Sequence, residues 1–132
     1  MFNQIRGTTM GNRAVIAFKG NDLGIYLHWN GGEESVKAFI DTAKALGVRN
    51  PCRDSYGISR MVQIIGNFFG GTLSLGIGKA DHLDDSDNGT YTIDENWNFT
   101  RSVHETQPFN QEYYEKVLAS CMEKNKPLFE EE

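Results

Sequence analysis

Apolar and polar positions follow two clear periods along this chain, and together they assign most of it to elements. Residues 14–18 form a short apolar run. Residues 24–29 alternate, with Ile25, Leu27 and Trp29 on one side and Tyr26 and His28 on the other. Both segments read as strands. Gly20-Asn21-Asp22 supplies turn chemistry between them, which predicts a hairpin. Asn30-Gly31-Gly32 breaks the second strand.

The period then changes to that of a helix. Val36, Phe39, Ile40 and Ala43 fall at i, i+3, i+4 and i+7, so a helix is expected over 33–46. Glu33 and Glu34 sit where its dipole favours anions, and Gly47 closes it. A second helix is expected from an N-cap at Asp54 or Ser55 to Phe68, with Ile58, Met61, Val62 and Ile65 as its stripe. Alternation returns at Leu73, Leu75 and Ile77. After a polar loop at 84–89, residues 90–93 and 97–103 read as a hairpin that turns at Asp94-Glu95-Asn96. A loop at 104–109 precedes a last helix capped by Asn110. That helix carries Tyr113, Tyr114, Val117, Leu118 and Cys121 near one face, and Pro127 forbids its continuation. The order β-β-α-α-β-β-β-α predicts an α+β fold: a mainly antiparallel sheet with two central helices and a C-terminal helix.

The chain has 132 residues, 39% hydrophobic and 23% charged, which fits one soluble domain with its core at about 12–125 and a frayed acidic tail. No apolar run reaches membrane-spanning length, and the first eleven residues lack a signal core. Cys52 and Cys121 have no CxxC spacing, so a reducing cytosol is expected rather than a disulfide scaffold. The net charge of −5 argues against a duplex-DNA binder but leaves room for a small phosphorylated ligand held by one or two arginines.

Few residues suggest bond-making chemistry. Asp84, Ser86, Asn88, Gly89 and Glu95 occupy positions 1, 3, 5, 6 and 12 of a calcium loop. Strand patterns flank them where an EF-hand needs helices, so a polar turn before a hairpin is the competing expectation. His28, His82 and His104 show no metal-ligand spacing with each other or with cysteine. Nucleophile elbows, Walker loops and dinucleotide fingerprints are missing. No metal and no cofactor is expected.

The most informative stretch is Ile65-Gly66-Asn67-Phe68-Phe69-Gly70-Gly71, where a helical pattern meets a strand pattern. Two flat apolar rings beside flexible backbone suit a planar ligand. The same residues equally suit a helix C-cap with both phenylalanines in the core. Arginine beside an aromatic can pair a phosphate and stack on a base, which singles out Arg60 and Arg101.

One family shares these features. Asn12-Arg13-Ala14-Val15-Ile16, the run from Gly24 through Trp29 to Gly32, Tyr56-Gly57, the Gly66 to Gly71 corner and Asn88-Gly89-x-Tyr91 together resemble the first of the Thoeris anti-defence proteins, which phages use against bacterial immunity. The likeness spans about residues 12–103. It implies a non-enzymatic sponge in the cytoplasm of the infected host. Such a sponge binds cyclic ADP-ribose isomers made by TIR-domain enzymes and holds them uncleaved. It also implies a homo-oligomer, and some members take up cyclic oligonucleotides at a separate site. An adenine platform, pyrophosphate arginines and ribose-binding amides are then expected among Arg60, Asn67, Phe68, Phe69, Asn88, Tyr91, Trp97 and Arg101. Two other readings compete. One is a phage inhibitor that contacts a host defence nuclease as an acidic nucleic-acid mimic, through residues 81–87. The other is a small nucleotide hydrolase or lyase using His28.

Overall fold

A computed structural model describes residues 11–103 and 107–129. The expected N-terminal stretch at 1–10, part of the expected loop at 104–106 and the acidic tail at 130–132 lie outside them. The elements are β1 (Ala14–Phe18), β2 (Asn21–Leu27), α1 (Glu33–Ala45), α2 (Ser55–Phe69), β3 (Leu75–Lys79), β4 (Thr90–Ile93), β5 (Phe99–Arg101), α3 (Gln111–Lys124) and a short α4 (Lys126–Phe129). A 3₁₀ turn, Ala80–His82, follows β3. The fold is α+β, as the alternation of periods predicts.

The strands form one sheet in the order β3-β2-β1-β4-β5. Three of its pairings are antiparallel, and β1 with β4 is parallel. Parallel neighbours need a crossover. Residues 80–89 provide it, running over the sheet face opposite the helices: Ala80 lies against Gly24, and Leu83 against Gly78. Arg13 fastens this strap by ion pairs to Asp84 (3.3 Å) and Asp87 (2.9 Å).

The core lies on the other face. Ala14, Ile16 and Phe18 of β1 and Ile25 and Leu27 of β2 pack with Val36, Phe39 and Ile40 of α1 and with Met61, Ile64 and Ile65 of α2, all of them buried. Each large side chain buried in this way contributes about 1.5–3 kcal/mol. The helices start and stop on the expected signals. Asp54 Oδ1 accepts from Tyr56 N–H (2.8 Å), and Asn110 Oδ1 accepts from Tyr113 N–H (3.0 Å). Gly70 ends α2 at φ 82°, a left-handed cap that suits glycine. Helix α3 packs on α1, where Tyr114 donates to Asp41 and Lys37 lies over the Tyr114 ring. Among the described residues, no helix is long and apolar enough to cross a membrane.

Several boundaries differ from the sequence reading. Strand β2 already begins at Asn21, so the β1–β2 turn is Lys19-Gly20 and not Gly20-Asn21-Asp22. Strand β3 begins at Leu75, and Leu73 is fully exposed, because 70–74 are used by the helix cap and the turn behind it. Strand β2 ends at Leu27, and Asn30 at φ 59° turns the chain, so Trp29 is 42% exposed instead of continuing the Ile25–Leu27 face. The β4–β5 turn reaches Trp97, which takes φ 67°. That is the left-handed position of a three-residue hairpin loop, usually held by glycine. Pro127 does end α3, yet α4 forms across it, since proline's missing N–H is harmless in a first helical turn.

Candidate functional site

The α1–α2 connection is built around Gly57. A Cβ there would lie 2.2 Å from the carbonyl oxygen of Arg49 and 3.0 Å from Pro51 Cα. Only glycine lets the first turn of α2 approach the loop this closely. The contact fixes Arg49 beside the exposed face of α2, where Tyr56 and Arg60 project.

These residues line an open groove of about 370 Å³, together with Leu46, Gly47 and Val48. That volume lies within the range of small-ligand sites. Tyr56 is 72% exposed. The Arg49 guanidinium carbon lies 5.2 Å above its ring centroid, and Arg49 also pairs with Asp54 (3.3 Å). Arg60 has no ion pair among the described residues. Residues 49–60 hold three arginines, Arg49, Arg53 and Arg60, against one acid, Asp54. Arg49 is paired with Asp54 and Arg53 with Glu95, which leaves Arg60 as the unpaired cation of this segment among the described residues. The groove offers an aromatic face, fork-shaped cations and backbone at Gly47 and Val48.

The expected site residues do not converge on one place. Arg60 lies in the groove. Asn67, Phe68 and Phe69 are at the far end of α2 and serve as a joint between helices. Phe68 and Phe69 pack edge-on against Phe39 (5.2 and 6.3 Å) and against each other (5.2 Å). Asn67 donates to Asn125 Oδ1 (2.9 Å), and the buried Asn125 amide donates in turn to the Ile64 and Cys121 carbonyls. Lys124 donates to the Phe68 carbonyl and lies over its ring. The helix-cap alternative thus accounts for this corner. Phe68 and Phe69 follow Ile65 at i+3 and i+4, so they extend the buried stripe of α2.

Asn88, Tyr91 and Arg101 do come together, at the start of β4. Tyr91 is fully buried, and its hydroxyl donates to the Gly31 carbonyl (2.7 Å). Burial pushes its phenol well above the ordinary range. Arg101 covers the Tyr91 ring at 4.9 Å. Its donors are taken by the Asn88 carbonyl (3.0 Å), Asn88 Oδ1 (3.1 Å) and Glu33 (3.4 Å). A concavity of about 230 Å³ lies above, lined in part by Asn12, Glu33, Glu34, Arg101 and Phe109. With two carboxylates beside an engaged arginine, it suits an anion poorly. Trp97 is at the opposite end of β4, packed on the core.

The calcium-loop match does not form a cage. Strand β4 occupies its positions 7 to 10 and carries Glu95 away from Asp84. Asp84 and Asp87 hold Arg13, while Glu95 faces Arg53 (3.4 Å). Ser86 backbone and side-chain hydrogen bonds keep the Asp84 carboxyl below its ordinary range. For Asp87, burial pushes upward, but the hydrogen bonds and charge of Arg13 outweigh it and the carboxyl stays low. His28 Nδ1 is 2.7 Å from the Tyr26 hydroxyl.

Sequence reasoning reached Arg60 and passed over Arg49 and Tyr56. Tyr56-Gly57 stands out as a motif, but Arg49, whose carbonyl Gly57 accommodates, is eight positions back across a loop. No family model, curated protein or solved structure matches this chain.

Proposed function

We propose that this protein is a phage anti-defence sponge. It binds cyclic ADP-ribose isomers made by bacterial TIR-domain enzymes and holds them uncleaved in the cytoplasm of the infected host, so that the immune effector goes unsignalled. The observation that carries the reading is the exposed Tyr56 in a groove that it shares with Arg49, which lies over its ring, and Arg60. Adenine stacks on the phenol, worth about 1–3 kcal/mol per base. Arginine forks meet the two phosphates, which the acidic remainder of the protein would otherwise repel. The resemblance across residues 12–103 supports the ligand class.

The test is depletion and release. Purified protein is mixed with cyclic ADP-ribose isomers and filtered, then heated, and both fractions are read by chromatography with mass detection. The expected outcome is loss from the filtrate and return of intact ligand on heating, with capture abolished in Arg60→Ala. Altered ligand would make the protein an enzyme. Ligand that never leaves the filtrate would favour contact with a host nuclease through the 81–87 strap, where the Asp81 side chain is 81% exposed.

Self-association belongs to the same proposal. Strand β3 pairs only with β2, its other edge is open among the described residues, and Ile77 on it is 54% exposed. Such an edge is a template for pairing with a second copy. Light scattering should report an oligomer for the wild type and a smaller species for Ile77→Lys. Equal masses would take β3 out of the interface.

A further inference from the structure

We infer that Arg49 is a built-in cover for the Tyr56 ring, held in place by Asp54, and that a nucleotide binds by drawing Arg49 off the ring onto its own phosphate. This rests on the nucleotide reading of the groove.

The Arg49 guanidinium lies over one face of the Tyr56 ring, 5.2 Å above its centroid, and a base stacking on that face would have to replace it. Asp54 gives each of its oxygens a separate task. Oδ1 caps α2 through the Tyr56 N–H (2.8 Å), and Oδ2 pairs with Arg49 Nη1 (3.3 Å). One carboxylate therefore sets both the position of the ring and the position of its cover. The hold is weak enough to exchange: the Arg49 side chain is 67% exposed. An exposed pair of this kind changes an equilibrium by roughly two- to fivefold. A pyrophosphate offers Arg49 more charge and a bidentate geometry. When it arrives, Arg49 swaps carboxylate for phosphate and the vacated ring receives the base. Asp54 competes with the ligand for Arg49, so it lowers the apparent affinity by the covered fraction. Nucleotides with a phosphate can lift the cover, and a bare nucleoside has nothing to lift it with.

Asp54→Asn removes the competing charge and keeps the cap, because asparagine caps helices as well as aspartate does. Calorimetric titration with cyclic ADP-ribose should show Asp54→Asn binding about two- to fivefold more tightly than wild type. Arg49→Gln should bind more weakly, and adding Asp54→Asn to it should give no gain, since the effect runs through Arg49. In the ligand-free wild type, the Arg49 Nε–H resonance should carry the upfield ring-current shift of the Tyr56 face, reduced in Asp54→Asn. Unchanged or weaker binding by Asp54→Asn overturns the cover while leaving the nucleotide reading intact. A gain that persists without Arg49 also overturns it, because it would then be a general field effect. An Arg49 resonance that ignores Asp54 overturns the cover whether or not any nucleotide binds. No binding by any of the four chains removes the nucleotide reading, and the exchange with it.

Discussion

Arg49 over Tyr56 and Arg101 over Tyr91 are the same chemical pair in opposite settings. Both place a guanidinium about 5 Å above a phenol ring. The Arg101 side chain is 14% exposed, its ring partner is fully buried, and its donors reach Asn88 and Glu33. The Arg49 side chain is 67% exposed and its ring partner 72% exposed. An arginine beside an aromatic is therefore no sign of a binding site in itself. What separates the two is whether the donors are already committed, and that follows from burial: a charge taken out of water must find partners within the protein.

The largest test of that contrast is truncation. Arg101→Ala should destabilise the fold by about 2–4 kcal/mol, because Glu33 and the Asn88 carbonyl lose their partner. Arg49→Ala should cost less than about 1 kcal/mol. Urea unfolding of both variants reads the difference, and equal losses would erase the distinction. Next comes the clamp that positions Arg49. Gly57→Ala should cost about 1–3 kcal/mol, as its Cβ cannot coexist with a carbonyl oxygen at 2.2 Å. Gly71→Ala meets nothing within 4 Å and serves as the control in the same thermal melts.

The two tyrosines sharpen the comparison further. Tyr91→Phe leaves the buried Gly31 carbonyl without its donor and should lose about 1–2 kcal/mol. Tyr56→Phe keeps a stacking face and should leave both stability and ligand capture near wild type. A larger effect at Tyr56 would give its hydroxyl a role that stacking does not explain.

The smallest effect expected is with acid. Asp84 and Asp87 have carboxyls held below their ordinary range in the folded protein, so their ionised forms favour folding. That stability is present in full above the unfolded carboxylate pKa, about 4, and is lost as pH falls through the lower folded values. The strap they anchor also positions Asn88, whose N–H donates to the Arg13 carbonyl (2.9 Å) and whose oxygens hold Arg101. Amide-exchange protection at Asn88 should therefore fall below about pH 4, ahead of protection in the core of α2. Simultaneous loss would make the strap part of the global unfolding unit.

Much of the fold was legible because its signals are local. The stripe Val36-Phe39-Ile40-Ala43 and the alternation around Ile25 and Leu27 each lie within one element and face one core. The caps Asp54 and Asn110 act on residues two or three positions away. Trp97 misled because the large residues on either side of the turn alternate like a strand, while its backbone takes a left-handed conformation that tertiary packing must sustain. The glycine-phenylalanine corner was ambiguous for a related reason. Residue type there fits a ligand platform as well as a helix end, and the contacts with Phe39, Lys124 and Asn125 that mark the helix end come from distant parts of the chain.

Periodicity, turn residues and charge thus determined the elements, the α+β class and the acidic balance of this protein, since each depends on neighbours along the chain. Tertiary structure decided the parallel pairing of β1 with β4, the strap that makes it possible, and which arginines remain available to a ligand. Those outcomes depend on contacts such as Arg101 with Glu33, 68 positions apart, and on the water that folding removes around them. Donor commitment and desolvation belong to the packed chain, and no spacing rule encodes them.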